Sequence, residues 1–191
     1  MNMDRMTPED HFLEARNRGL KTRARNRAKG LPGTLVSLDG LLQEVEIVSE
    51  VFLGTVEIPL KNVVGTSTQG RAVSFAPDFM PLLDRGSEFS HKWIALCGSH
   101  LKVGIRDPIK VYEYLNRFYV LEGNKRVSVL KYFDAVSVTA AVTRLVPRKD
   151  PEDPENRLYY EFMEFHKKTG INNIWMSREG GFRRLLEHMD R

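Results

Sequence analysis

The chain has 191 residues, 41% of them hydrophobic, one cysteine, and a formal charge of +4. That length supports one good core with an extension. A single thiol excludes an internal disulfide and an all-cysteine metal site, and no apolar run approaches the ~18–20 residues that span a bilayer. The opening Met1-Asn2-Met3-Asp4-Arg5-Met6 lacks the apolar stretch of a secretory signal, so a cytoplasmic protein is expected.

Residues 1–30 carry eight basic side chains against four acidic ones, the whole formal excess of the chain. Thr7-Pro8-Glu9-Asp10 has the form of a helix start, with an N-cap, a proline in the first turn and acids beside it. The pattern predicts a helix from Pro8 to about Ala28, with Leu13, Leu20, Ala24 and Ala28 as a narrow apolar stripe. Its cations, Arg16, Arg18, Lys21, Arg23, Arg25, Arg27 and Lys29, fit three roles. They neutralise phosphates of DNA or RNA, form the solvated back of a helix packed on the core or a second subunit, or meet an acidic protein.

Residues 31–53 read as a connecting segment, broken at Gly30-Leu-Pro-Gly-Thr34, with a short helix at Leu41–Val45 and a strand at Glu46–Leu53. A core spanning 54–147 then opens on Val56–Val63, where Pro59 marks an edge strand or bulge. Ser67–Ala72 reads as a loop, and Pro77–Leu83 and Phe89–Leu101 as two helices, the second with Trp93, Leu96 and Leu101 inward and Cys97 buried. A strand through Ile109–Tyr114, a turn at Leu115-Asn116-Arg117 and a strand to Glu122 follow. A helix then runs to about Phe133, and a strand covers Val136–Val142. Residues 148–191 form a helical extension: a proline-rich connector, a helix from Arg157 to Gly170 and a last one over Gly180–Met189.

The densest chemical signal is Tyr119-Val-Leu-Glu-Gly-Asn-Lys-Arg126. A β-rich run gives way to a helix across Gly123, which lets the backbone turn and come close to a ligand, while the first helical N–H groups have no partners within the helix. Lys125 and Arg126 add two cations there. The same tetrapeptide also suits an ordinary strand-to-helix turn with solvated basic residues. Histidine gives no metal signal: His91 and His100 are nine residues apart and lack ligands at helical spacing.

Together, Gly104-Ile-Arg-Asp-Pro-Ile-Lys-Val111, Tyr119 to Arg126, Val136 to Val142, and upstream Val56-Glu-Ile-Pro-Leu-Lys-Asn-Val63 with Arg71 resemble the ParB/sulfiredoxin superfamily over about residues 54–147. The resemblance implies an α/β fold with a small mixed sheet flanked by helices. It further implies a nucleoside triphosphate, CTP or ATP with Mg2+, its phosphates held by Gly123, Asn124, Lys125, Arg126, Ser128 and Arg71. A homodimer is also in keeping with it.

Departures from the family pattern narrow the function. Sulfiredoxins carry a catalytic cysteine where this chain has Asn124, so their sulfinic-acid reductase chemistry is not expected. Partition proteins carry Gly-Glu-Arg-Arg at the corner, where Asn124 and Lys125 now stand, and a helix-turn-helix that the last 45 or so residues do not resemble. Their Glu-Asn-x-x-Arg box is matched only in part by Glu155-Asn156-Arg157. A phosphate-holding module attached to nucleic acid is the leading reading. A small-molecule phosphotransferase with Glu57, Asp107 or Glu122 as base is the second, and a regulatory domain without a ligand the third. No acidic cluster suited to a two-metal nuclease is present in the sequence.

Overall fold

The computed structural model describes residues 6–172 and 174–189. Their elements are α1 (Pro8–Ala28), β1 (Val36–Ser37), α2 (Leu38–Leu41), β2 (Ile47–Pro59), β3 (Val63–Thr66), α3 (Gln69–Ala72), α4 (Glu88–Val103), β4 (Ile109–Tyr114), β5 (Arg117–Glu122), α5 (Asn124–Tyr132), β6 (Ser137–Pro147), α6 (Pro154–Thr169) and α7 (Gly181–Met189). The architecture is mixed α/β, with one six-stranded sheet in the order β1-β3-β5-β4-β6-β2.

Both senses of pairing occur. β4 and β5 form an antiparallel hairpin whose turn residues, Leu115 and Asn116, have φ of 47° and 64°. Two consecutive positive φ values give the turn a twist that matches the strands it joins. β4 then runs parallel to β6, β5 parallel to β3, and β3 parallel to β1. β2 lies antiparallel to β6 from Ile47↔Pro147 to Pro59↔Ser137, with Pro59 at the end of this edge strand. The strand is continuous across residues 53 and 54, so the expected boundary between connector and core cuts through one element.

Alternation along β4 and β6 puts Ile109, Val111 and Glu113 on one sheet face with Val138, Ala140, Val142 and Arg144. The apolar members of that set join Phe12, Phe89, Trp93, Cys97, Val127, Leu130 and Tyr132 in the main core. Trp93 meets Phe12 and Tyr132 edge-on, at 5.6 and 5.8 Å between centroids. Its indole N–H donates to Ser128 Oγ at 2.9 Å, so α4 and α5 are joined by a hydrogen bond inside the core. Cys97 is buried as expected, and burial pushes its thiol up to about 11.

The contact face of α1 matches the expected stripe only in its first half, where Leu13 packs against the core and Leu20 is half-buried. His11, Phe12, Ala15 and Gly19 are buried, whereas Ala24 and Ala28 are exposed. Gly19 lies so near the chain that a Cβ there would stand 2.6 Å from Pro81 O, and His11 Nδ1 shares a 2.9 Å hydrogen bond with the Tyr132 hydroxyl. Small residues admit the neighbouring backbone, a contact that hydropathy alone does not register. Pro77–Leu83 likewise forms no helix. Phe79 has φ of 67°, and Phe75 bridges Pro81, because Phe75, Phe79, Met80 and Leu82 all turn into the interior.

The extension packs as its own aromatic cluster of Tyr159, Phe162, Phe165 and Phe182. α6 begins three residues earlier than expected, at Pro154, where Asp153 accepts a hydrogen bond from Glu155 N. Asn156 is used structurally, donating to Arg148 O and accepting from Asp150 N. Arg157 pairs with Glu179. The partial Glu-Asn-Arg match is thereby committed to local bonds.

Lys131 is a half-buried amine at the main layer. Its Nζ donates to Val63 O at 2.8 Å and lies 5.0 Å from the Phe79 centroid. Burial pushes it down to about 8 from the ordinary 10.5, against a smaller upward pull from Asp78. Because the folded value lies below the unfolded one, the unfolded chain holds the extra proton between about pH 8 and 10.5, and this group makes stability rise with pH there. Denaturant titrations should show wild type gaining on Lys131→Met by about 1–3 kcal/mol between pH 7 and 10.5. A pH-independent difference would contradict a desolvated ammonium at this position.

Candidate functional site

β5 ends at Glu122 and α5 begins at Asn124, with Gly123 between them at φ 107° and ψ 19°. A side chain at this position would place its Cβ 2.6 Å from Ile109 Cγ2. Glycine is therefore required twice, by the left-handed backbone and by the neighbouring strand. It also offers no side-chain acceptor as N-cap, so the N–H groups of Asn124, Lys125 and Arg126 open α5 without intrahelical partners.

These residues line a cleft of about 440 Å3 with Arg71, Ser74, Phe75 and Phe89. Arg71, which the sequence resemblance assigns to the same site, arrives from α3 and donates through Nη1 to Leu121 O at 2.9 Å. Asn124 is 7% exposed, and neither its amide oxygen nor its amide nitrogen has a hydrogen-bond partner. An uncompensated buried amide costs roughly 1–3 kcal/mol, so this side chain at the edge of the cleft lacks the partners that its burial calls for.

Lys125 Nζ lies 4.8 Å from the Phe89 centroid. Burial holds its pKa below the ordinary lysine value, and the positive charges of Lys92 and Arg71 push the same way, opposed by Glu88. The cleft is therefore short of negative charge. Lys92 and Phe89 are contributors that sequence reasoning misses; both lie on α4, and only the packing of α4 on α5 brings them there. Arg126 acts differently from its neighbour. Its Nη1 donates to Asp107 O at 3.1 Å and Pro108 O at 2.6 Å, clamping the approach to β4.

Ser128 belongs to the core and not to the cleft. It is 0% exposed and accepts from Trp93 Nε1, which corrects its expected role as a hydroxyl contact. The three candidate bases do not form one group: Asp107 and Glu122 both adjoin Arg126, and Glu57 is remote from them. Glu57 lies on β2, three strand spacings (about 14 Å) from β5, and bonds to Ser137 Oγ. Asp107 contributes its carbonyl to Arg126. Glu122 stands at the corner but pairs with Lys110 at 2.8 Å, and that hydrogen bond holds its carboxyl below the usual range, which weakens it as a base.

The basic helix divides into two halves. Arg16 donates to Leu83 O and pairs with Asp84, while Arg18 pairs with Glu14 and lies 4.8 Å from the Tyr132 centroid. Both are tied to this fold. Lys21, Arg23, Arg25, Arg27 and Lys29 form no ion pair among the described residues, and all but the half-buried Arg23 are exposed. Among the described residues no cluster of three metal-ligating side chains occurs, and no helix is long and apolar enough to cross a membrane.

No protein-family model and no curated protein matches the chain. Among solved structures, sulfiredoxin from Arabidopsis thaliana is similar over 46% of this chain and 82% of its own, with 19% identity and a TM-score of 0.33.

Gly123→Ala should lower stability by about 2–4 kcal/mol, the left-handed backbone and the forced displacement of Ile109 acting together. Equilibrium unfolding in denaturant measures this; a loss below about 0.5 kcal/mol would mean that the corner is not under this constraint.

Proposed function

We propose that this chain is a ParB/sulfiredoxin-type module that holds the phosphates of a nucleoside triphosphate at the Gly123–Arg126 corner and attaches to nucleic acid through the free half of α1. The observation that carries the first part is Asn124, an amide buried without partners at the mouth of a helix N-terminus. Lys125 and Arg71 supply charge beside it. Unpaired backbone N–H groups and the helix dipole favour the same kind of ligand.

In this reading the N–H groups of α5 bind phosphate oxygens, and the Asn124 amide gains its partner by turning toward them. Lys125 and Arg71 balance their charge, while Arg126 keeps the loop before β4 in place. A magnesium ion arriving with the triphosphate would offset part of its charge and would need few protein carboxylates. The phosphotransferase alternative is less well supported, since Glu57 is remote and Glu122 is tied to Lys110.

Calorimetry with ATP, CTP, GTP and ADP in magnesium should detect one preferred nucleotide and no binding of the bare nucleosides. Lys125→Ala with Arg71→Ala should weaken it at least ~tenfold, as charge-assisted bonds of about 1.5–3 kcal/mol are removed. Retained affinity in that double variant would remove the corner from the reading. Arg126→Ala is a poorer probe because it also frees the Asp107–Pro108 carbonyls.

For the second part, Lys21, Arg23, Arg25, Arg27 and Lys29 would be changed together to glutamine, leaving Phe12 and Ala15 packed. The slope of log affinity for duplex DNA against log salt should become shallower by up to about 4. An unchanged slope would assign this half of the helix to another partner.

A further inference from the structure

A cleft of about 730 Å3 opens at the C-terminal end of α5, between α1 and the turn that joins β2 to β3. Lys131, in the last turn of α5, lines it and stands about 11 Å along the helix from the corner. Leu60, Met80 and Val136 supply apolar surface.

One bond holds the Lys131 amine. Its Nζ donates to Val63 O at 2.8 Å and lies 5.0 Å from the Phe79 centroid. An ammonium carries three donors, and the other two have no acceptor among the described residues. No carboxylate among the described residues pairs with it either. Asp78 acts on it only from a distance, because its own oxygens accept from Thr22 Oγ1 at 2.7 Å and Met80 N at 3.2 Å. Of the other cations in the lining, Arg18 is tied to Glu14, and Lys61 forms no ion pair among the described residues.

Such an amine is suited to carbonyl chemistry. Burial pushes Lys131 down to about 8. About a fifth of it is then free amine at about pH 7.4, against about a thousandth of an ordinary lysine. A desolvated lysine beside other cations is a nucleophile toward carbonyl carbon. Its lone pair adds to that carbon, a proton passes from nitrogen to oxygen, and the hydroxyl leaves as water to give a C=N bond. Once protonated, this imine keeps one N–H, which suffices for Val63 O. Capture thus gives up the two N–H groups that lack acceptors and retains the one that has a partner.

Charge selects the carbonyl compound. The lining bears Arg18, Lys61 and Lys131 against Asp78 and Asp134, an excess of one cation. The protonated imine preserves that excess, and a carboxylate beside the carbonyl offsets it. We propose that Lys131 captures a small 2-oxo acid as an imine in this cleft, with the carboxylate of the acid facing Lys61. This site is independent of the phosphate reading and stands whether or not the corner takes a nucleotide.

Treatment of the folded full chain with glyoxylate and cyanoborohydride at about pH 7.4, followed by peptide mass mapping, tests it. Reduction fixes each imine as a carboxymethyl-lysine. Lys131 should be marked at least about tenfold faster than the exposed Lys102, the larger share of free amine outweighing its partial burial. In concentrated urea, where burial is lost, the two rates should become equal. With acetaldehyde, which has no carboxylate, the preference for Lys131 over Lys102 should be at least about threefold smaller, the worth of one solvent-screened ion pair. Lys61→Gln should bring the glyoxylate preference down to that of acetaldehyde. The proposal is overturned if Lys131 is marked no faster than Lys102, if its lead persists in urea, if acetaldehyde shows the same preference, or if Lys61→Gln leaves the glyoxylate preference unchanged.

Discussion

The left-handed backbone at Gly123 is the constraint from which the candidate site follows. Ile109 of β4 packs so tightly against this residue that no Cβ fits, and the chain therefore leaves β5 and enters α5 at one fixed angle. That angle points the opening N–H groups of α5 at the cleft and sends the opposite side of the helix, with Val127, Leu130 and Ser128, into the core. The Trp93–Ser128 bond then ties α4 to α5, so Phe89 of α4 lines the same opening and the charge of Lys92 is felt at Lys125. Arg126 works as a brace at this junction: its guanidinium satisfies two carbonyls of a loop that has no secondary structure of its own. Two adjacent cations, Lys125 and Arg126, accordingly do different work, one set by what it lacks and the other by what it holds.

A different interaction fixes the other end of the β4–β5 hairpin. Burying Glu113 with Arg144 is not by itself stabilising, because desolvation of two charges can exceed their attraction. Here the carboxylate accepts three hydrogen bonds, one from the hairpin, one from β6 and one from Tyr159 of α6. Arg144 also lies 5.5 Å from the Phe162 centroid. The pair therefore sets where α6 docks, since any shift of the helix would leave Glu113 short of a donor in the interior. The extension is registered on the sheet by polar geometry and held there by its aromatic cluster.

Local features are legible in the sequence, and features made by distant packing are not. The corner can be read because strand, glycine, cations and helix are contiguous, and the hairpin turn for the same reason. The start of α1 is equally plain, since Thr7 and Asp10 form a reciprocal cap. Pro77–Leu83 misleads because a seven-residue, mostly apolar segment with prolines at 77 and 81 fits a helix as well as an irregular segment, and only contacts with the interior decide between them. Glu57 groups with Asp107 and Glu122 by chemistry alone, but strand order is set by long-range pairing and carries β2 to the far edge. The Glu113–Arg144 pair escapes a reading of the sequence because it joins residues 31 apart, each in an ordinary-looking strand.

In the proposed reading, the charge at the corner suits an anion better than other occupants. Were the cleft a solvated basic surface, each cation would keep its water and its ordinary affinity for a proton. Lys125 instead loses proton affinity through burial and the fields of Lys92 and Arg71, with Glu88 giving only partial relief because it pairs with Lys92. Glu122 is likewise occupied by Lys110. Glu88 is thus engaged with Lys92, and Glu122 is shared between Lys110 and Arg126, so the repulsion on Lys125 is only partly relieved. A second cation would add to that repulsion and an apolar group would deepen the desolvation of Lys125. An oxyanion reduces both, and it also supplies acceptors to the Asn124 amide and the opening N–H groups of α5.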